Sequence, residues 1–526
     1  MTSIHEEPVI YPSPSNPMAV ARRIIQDHQL RDRREGLLTI RWWRGSFYEW
    51  KHSHWIEVAD ADIHSKLYHI LERVHYEKKT KDGFELAPWE PTRNKIQNVA
   101  HALLGITFLS EHVEPPAWIE GANDDGNVLA MSNILLSLEG TRRQKIRQTP
   151  CHFNMFAVPY DYEPDAPEPE QWLEFLHQLW PKDEQSIALL QEWFGYILSS
   201  ETDQQKILLL VGKRRGGKGT IARILTALVG KENTAGPTLA SLGTNFGLSP
   251  LLGKAVAIVS DARLSGNVST IVERLLSISG EDALTVDRKY REPWTGRLPS
   301  RFTIISNVLP NLGDPSGAIA TRFLVLLFEK SWLHNEDKKL EGKLKQELPG
   351  ILNWSLDGLD RLRKQGHFTE PQTSEDAVTE MADLASPVTA FVREKCIVGP
   401  QFEVDFDSLY WAWKSWADEN GRKVSSKQTF GRDLRSVVFG IKVRRPREGE
   451  TQRRVYEGID LSGDNSGGSR GSSDSRGLQG GSESRESRTS QCSLYRCDWC
   501  GNEVSAYNDL HGMPCSCKEG RLKLKR

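Results

Sequence analysis

The spacing of apolar and polar positions changes several times along the chain, and each change predicts a different element. Leu37–Trp50 (LLTIRWWRGSFYEW) alternates like a hairpin turning at Gly45-Ser46. Ala61–Val74 and Pro91–Leu109 carry helical spacing, and Glu184–Ser199 is an amphipathic helix. Ile207–Val211, Lys254–Ala262, Arg301–Asn307 and Leu324–Phe328 contain short apolar runs, the pattern of parallel strands buried on both faces. Between the first two, Ile221, Ile224, Leu225 and Leu228 mark one face of a helix. Asn335–Gly366 reads as helical. From Pro387 to about Gly458 the pattern predicts helices Val388–Lys395, Phe406–Asn420 and Ser426–Val438, then strands Ile441–Arg445 and Arg454–Tyr456. Three helices closed by a basic hairpin suggest a winged helix, with Ser425 and Gln428 as the start signal of its last helix. That helix carries Lys427, Arg432 and Arg435, a candidate DNA contact. Leu461–Gln491 is Ser/Gly-rich and nearly free of apolar residues, which predicts a flexible tether.

At 526 residues the chain is too long for one ordinary core. Its 38% hydrophobic and 26% charged residues are those of a globular protein. There is no apolar run near the roughly 18 residues of a membrane span. The acidic, Pro-rich start Met1–Pro17 is unlike a secretory signal, which sets the expectation of a cytoplasmic protein without a membrane partner. A net charge of −2 gives no global basic signature, so any nucleic-acid contact must be local. Asp60 and Asp62 form a D-x-D pair that would suit a two-metal site, but no partner carboxylate accompanies them. They read as an N-cap for a helix starting near Ile63, and no primase centre is expected.

The chemistry concentrates in the middle of the chain. Gly212-Lys-Arg-Arg-Gly216-Gly217-Lys218-Gly219-Thr220 stands between a buried strand and a helix, the context a phosphate-binding loop requires. Its glycines let backbone N–H groups turn toward phosphate oxygens, and Lys218 reaches the β- and γ-phosphates of ATP. The usual hydroxyl after the lysine is replaced by Gly219, so Thr220 or water supplies the Mg²⁺ contact. Asp261 ends the second strand, where Mg²⁺ and its waters are held. Asn307 ends the third, where an amide orients the attacking water. Between them, Leu284–Leu298 reads as a short basic hairpin with Arg288 and Lys289 near its tip.

Seven cysteines fall unevenly: Cys151 and Cys396 stand alone, while five crowd the last stretch. Cys497-x-x-Cys500 and Cys515-x-Cys517 are close pairs of the kind that hold Zn²⁺ tetrahedrally, with Cys492 and His511 as substitutes. A small zinc ribbon is therefore expected before the basic end Arg521–Arg526.

The phrases GKRRGGKGT, AIVSDAR, ISGEDALTVDRKY, IISNVLPNLGD and AIATRF, in this order, resemble the superfamily 3 helicases. They look most like the helicase half of phage and plasmid primase–helicases related to the poxvirus uncoating-type NTPase. The resemblance implies an α/β, AAA+-like P-loop core over residues 184–370. It lies between a mixed α/β pre-helicase region (1–183) and the winged-helix-like domain (387–460), then the linker (461–491) and the zinc ribbon (492–526). It further implies a homo-hexameric ring that moves on single-stranded or forked DNA, alongside a separate primase or other replication proteins. In that family's terms Lys218 and Thr220 bind phosphate, and Asp261 with Glu281 or Asp282 serves metal or water. Asn307 is the sensor; Arg288, Lys289 and Tyr290 form the DNA-gripping hairpin; Arg322 reaches a neighbour's ATP, a role for which Arg301 competes. Asp261 lacks the second adjacent acid of many relatives, since Ala262 follows it. The alternatives are an origin-binding or loading factor that uses ATP only for assembly, and a small-molecule P-loop kinase.

Overall fold

The computed structural model describes residues 8–462 except 28–29, 33, 35, 121–126, 141–142, 263–266, 315–316 and 449–450, plus strands 493–497, 503–506 and 522–524. The chain divides into two units, Met1–Ser462 and Gly463–Arg526.

The centre of the first unit is a parallel five-stranded sheet. Its strands run in the order Thr234–Ala235, Val256–Val259, Arg301–Ser306, Ile207–Gly212, Phe323–Phe328. Period-two geometry sends Leu208 and Leu210 to one face and Ile207, Leu209 and Val211 to the other, so an unbroken apolar run is buried on both sides. The first face is covered by helices Glu170–Leu179, Glu184–Leu198, Lys218–Val229 and Leu348–Gln365. The second is covered by Leu239–Leu242, Val268–Ser279 and Gln372–Ala385.

Helices Glu184–Leu198 and Leu348–Gln365 touch backbone to backbone. A Cβ on Gly195 would stand 2.2 Å from the Ser355 carbonyl oxygen, and one on Gly358 would stand 2.5 Å from the Gln191 carbonyl. Beside this crossing Glu192 is fully buried. Its Oε1 accepts from Arg361 Nε (2.6 Å), Thr369 Oγ1 (2.8 Å) and Gln365 Nε2 (3.0 Å), and its Oε2 from the Thr369 N–H (2.7 Å). All of its donors come from one helix and the turn after it.

Residues before the sheet form a mixed α/β region around a second core. An antiparallel sheet of Ile40–Trp43, Ser46–Trp50 and Trp55–Val58 packs with helices Pro17–Gln26, Asp60–Leu71 and Arg93–Thr107. The hairpin turns at Arg44-Gly45, both at positive φ, rather than at Gly45-Ser46: Ser46 already pairs with Trp43. The helix after it starts at Asp60, three residues earlier than the sequence suggests. Asp60 and Asp62 therefore lie in its first turn, where their charge complements the helix dipole, and Ala59 is the N-cap.

After the sheet, helices Pro387–Lys395, Phe406–Glu419 and Lys427–Val437 share a core with a three-stranded sheet ordered Cys396–Asp405, Val455–Leu461, Lys442–Arg444. The last helix is capped by Ser426, which accepts from the Thr429 N–H, one residue along from the Ser425/Gln428 signal.

In the second unit, strands Glu503–Ala506, Ser493–Cys497 and Leu522–Leu524 pair in that order. Cys492, Cys500, His511, Cys515, Cys517 and residues 463–491 of the tether lie outside the described residues, and Cys497 closes a strand of which only the backbone is described; Leu461, the predicted start of the tether, instead ends strand Val455–Leu461. Among the described residues no helix is long and apolar enough to cross a membrane, and no group of three metal-ligating side chains is present.

Candidate functional site

All parallel strands deliver their C-terminal ends to one edge of the sheet, and a cavity of about 940 Å³ opens there. The glycine loop forms its floor. Gly212 has φ +147° and packs so tightly on strand Phe323–Phe328 that a Cβ would stand 2.1 Å from the Phe328 carbonyl oxygen. Gly217, at φ +94°, turns the chain into helix Lys218–Val229. The cavity is lined by Gly217, Lys218 and Gly219 at the start of that helix, where the first N–H groups lack intrahelical acceptors and the dipole is positive, which favours an anion.

Lys218 is buried, 6% exposed, and its Nζ donates to the carbonyls of Gly212 (2.6 Å) and Lys213 (2.7 Å). Burial lowers its pKa from the ordinary lysine value. Gly216, Gly217, Gly219, Thr220 and Asn307 line the same cavity. Asn307 comes from the strand directly beside the glycine-loop strand. Asp261 follows Val256–Val259 one strand further out, exposed at the same edge, and is not in the cavity lining. Thr220, Asp261 and Asn307 supply oxygens, the hard donors that Mg²⁺ takes together with phosphate oxygens, so the residue types fit that ion.

On sequence the opposite wall carries no site motif and reads only as the start of the helical stretch Asn335–Gly366, whose first helix begins at Leu340. It comprises Trp332, Asn335–Lys338, Leu340, Glu341 and Lys343, with Phe175 and its helix beside it. Two hydrogen bonds to loop carbonyls fasten this wall to the loop: Ser331 Oγ donates to the Arg214 carbonyl (2.8 Å) and the Trp332 N–H to the Arg215 carbonyl (3.0 Å). Arg215 also pairs with Glu336.

Besides Asp261, two predicted site residues are not brought to this cavity. Arg322 immediately precedes strand Phe323–Phe328, and its Nη1 donates to the side chain and carbonyl of Gln205, ahead of Ile207–Gly212. Glu281 accepts from Thr202 Oγ1 at the same end. Both stand at the N-terminal edge of the sheet, about 20 Å from the loop at six residues of strand. Glu281 thus has no route to a metal or water on this chain's own glycine loop. Arg301 is held internally, buried with Nη2 on the Ser199 and Glu201 carbonyls and its guanidinium over the Tyr196 ring. It is not available to a second subunit.

The basic hairpin pairs Leu284–Val286 with Trp294–Gly296. Its base is clamped to the N-terminal sheet: Arg44 lies over both Trp43 and Trp294. Arg288, grouped with the tip on sequence, belongs to this clamp. It is buried, with Nε on the Glu292 carbonyl (2.9 Å) and Nη1 on Glu57 (3.2 Å), and Arg291 also bonds Glu57. Lys289 and Tyr290 are exposed between the two strands. Tyr290 is 93% exposed at φ +61°, with Lys289 Nζ 5.1 Å from its ring centre.

Residues 210–322 match a family described as a family of unknown function, DUF5906. Among solved structures, the apo structure of the NrS-1 C-terminal region (305–718) is 13% identical, with a TM-score of 0.47 over 84% of this chain and 99% of that one. An A form of the same span gives 14% identity and a TM-score of 0.45, covering 84% of this chain and 100% of that one. A further A-form apo structure of the NrS-1 C-terminal region gives 13% and 0.44, covering 80% of this chain and 97% of that one.

Proposed function

We propose that this chain is an ATP-driven DNA translocase of the superfamily 3 helicase type, built on an AAA+-like P-loop core and working as a ring in replication of a phage, prophage or plasmid-like element. The observation that carries this reading is the cavity in which Lys218, Thr220 and Asn307 converge at the C-terminal edge of a parallel sheet. Mg²⁺ and ATP fit there: the loop N–H groups and Lys218 bind the phosphates, and Asn307 orients the attacking water. Placement of Arg322 at the far edge suits a residue acting on a neighbour's nucleotide, since its own is out of reach. The winged-helix-like unit presents exposed Arg432, Arg435, Lys442 and Arg445 as a second basic surface for DNA.

Hydrolysis measured with and without single-stranded DNA tests this reading, alongside strand displacement on forked DNA. The expected result is DNA-stimulated hydrolysis and ATP-dependent unwinding. A rate indifferent to DNA would sink the translocase and favour a loading factor or a kinase. Lys289→Ala should reduce DNA stimulation about five-fold and steepen nothing in nucleotide binding, because a lone exposed cation meets phosphates without shaping the cavity. Titration of the stimulation against DNA concentration checks this; a parallel loss of nucleotide affinity would refute the separation of the two sites.

A further inference from the structure

The place beside Gly219, where a hydroxyl side chain usually stands, is occupied by another group. Arg223 Nη1 lies 3.1 Å from where a Cβ on Gly219 would be, closer than a normal contact. Its Nη2 is 3.4 Å from Thr220 Oγ1, and its Nε donates to Glu341 Oε2 at 2.6 Å. Arg223 and Glu341 both line the cavity with Lys218 and Thr220. A guanidinium thus hangs over the first turn of the helix, beside the N–H groups that receive an anion.

We infer that Arg223 is a phosphate-contacting residue of this site and that Glu341, on the opposite wall, competes with the nucleotide for it. The inference rests on the nucleotide reading above. Three observations carry it. A glycine at 219 leaves the guanidinium its space. The Arg223–Glu341 pair is exposed, 54% and 34% at the two side chains, so breaking it costs little. Glu341 also keeps a second partner, Lys345 Nζ at 2.7 Å, and is not left alone when Arg223 departs. A planar guanidinium binds phosphate oxygens through two parallel N–H bonds, which an amine cannot reproduce. Arg223 therefore exchanges a carboxylate for a phosphate as the nucleotide enters, and Glu341 sets how readily it does so.

Equilibrium binding of N-methylanthraniloyl-ADP with Mg²⁺ to the full chain, with melting curves on the same samples, tests this. Arg223→Ala should weaken binding about 10-fold, the loss of one charge-assisted contact, and Arg223→Lys should restore it only partly. Glu341→Gln should tighten binding about three-fold by releasing the arginine. A merely structural ion pair predicts otherwise: both substitutions remove the same bond, so they would shift melting alike and leave affinity unmoved. Affinity changes in the same direction for Arg223→Ala and Glu341→Gln, or none in either, overturn the inference. If the wild type binds and Lys218→Ala does not, that failure concerns Arg223 alone. A wild-type chain that does not bind the nucleotide overturns the nucleotide reading and this inference together.

Discussion

Lys218→Ala should lower ATP hydrolysis by about 100-fold or more while leaving the fold intact, the scale expected when a preorganised cation facing the transferred phosphate is removed. The two halves of this expectation come from separate features. Lys218 sits at the floor of the cavity with its ammonium on the Gly212 and Lys213 carbonyls, the position from which it turns toward phosphate. Removing the donor costs about 1–3 kcal/mol for each of those two carbonyls. Burial already disfavours its charge, as the lowered pKa shows, so alanine also relieves a desolvation cost. Phosphate release and thermal melting, measured together, check the result. Hydrolysis within a few-fold of wild type would remove the lysine, and the loop with it, from the chemistry.

A larger effect on stability is expected from Glu192→Ala, about 3–5 kcal/mol of destabilisation. The carboxylate is wholly enclosed and satisfies an arginine, an amide, a hydroxyl and a backbone N–H. Alanine takes this buried acceptor from all of those donors at once, and Arg361 keeps only Gln191 and Ala188 as partners. Glu192→Gln preserves the shape but not the charge and should lose less. Urea unfolding of the two variants against wild type measures both values. Equal stability of Glu192→Ala and wild type would mean that the region around Thr369 relaxes to let water in.

How far the chain could be read before folding depends on the range of the interaction that decides each element. The strands at 207–212, 256–259, 301–306 and 323–328 were legible because burial on both faces leaves a local mark, an unbroken apolar run. Strand Cys396–Asp405 was not: Gly399-Pro400 in its middle reads as a turn, and the register against Val455–Leu461 does shift between Val398 and Glu403. The glycine loop and Asn307 were readable from spacing, whereas the wall from Trp332 to Lys343 carries no motif, and its helix begins at Leu340 rather than at Asn335. Arg288 is the most instructive case. Beside Lys289 it looks like one more exposed charge, and only Glu57, 231 residues earlier, makes it a buried anchor. Glu281 and Arg322 follow the same rule, since nothing in their local sequence states which end of the sheet they reach.

The helix crossing at Gly195 and Gly358 also bears on how such chains diverge. Two backbones meet there, so no rotamer and no small shift of a neighbour can admit a methyl group. In a library of randomly mutated chains selected for folding, these positions should remain glycine while the outward-facing positions of both helices drift. They would then survive as a pair of fixed landmarks by which a remote sequence could be aligned to this architecture after the apolar residues around them have been exchanged.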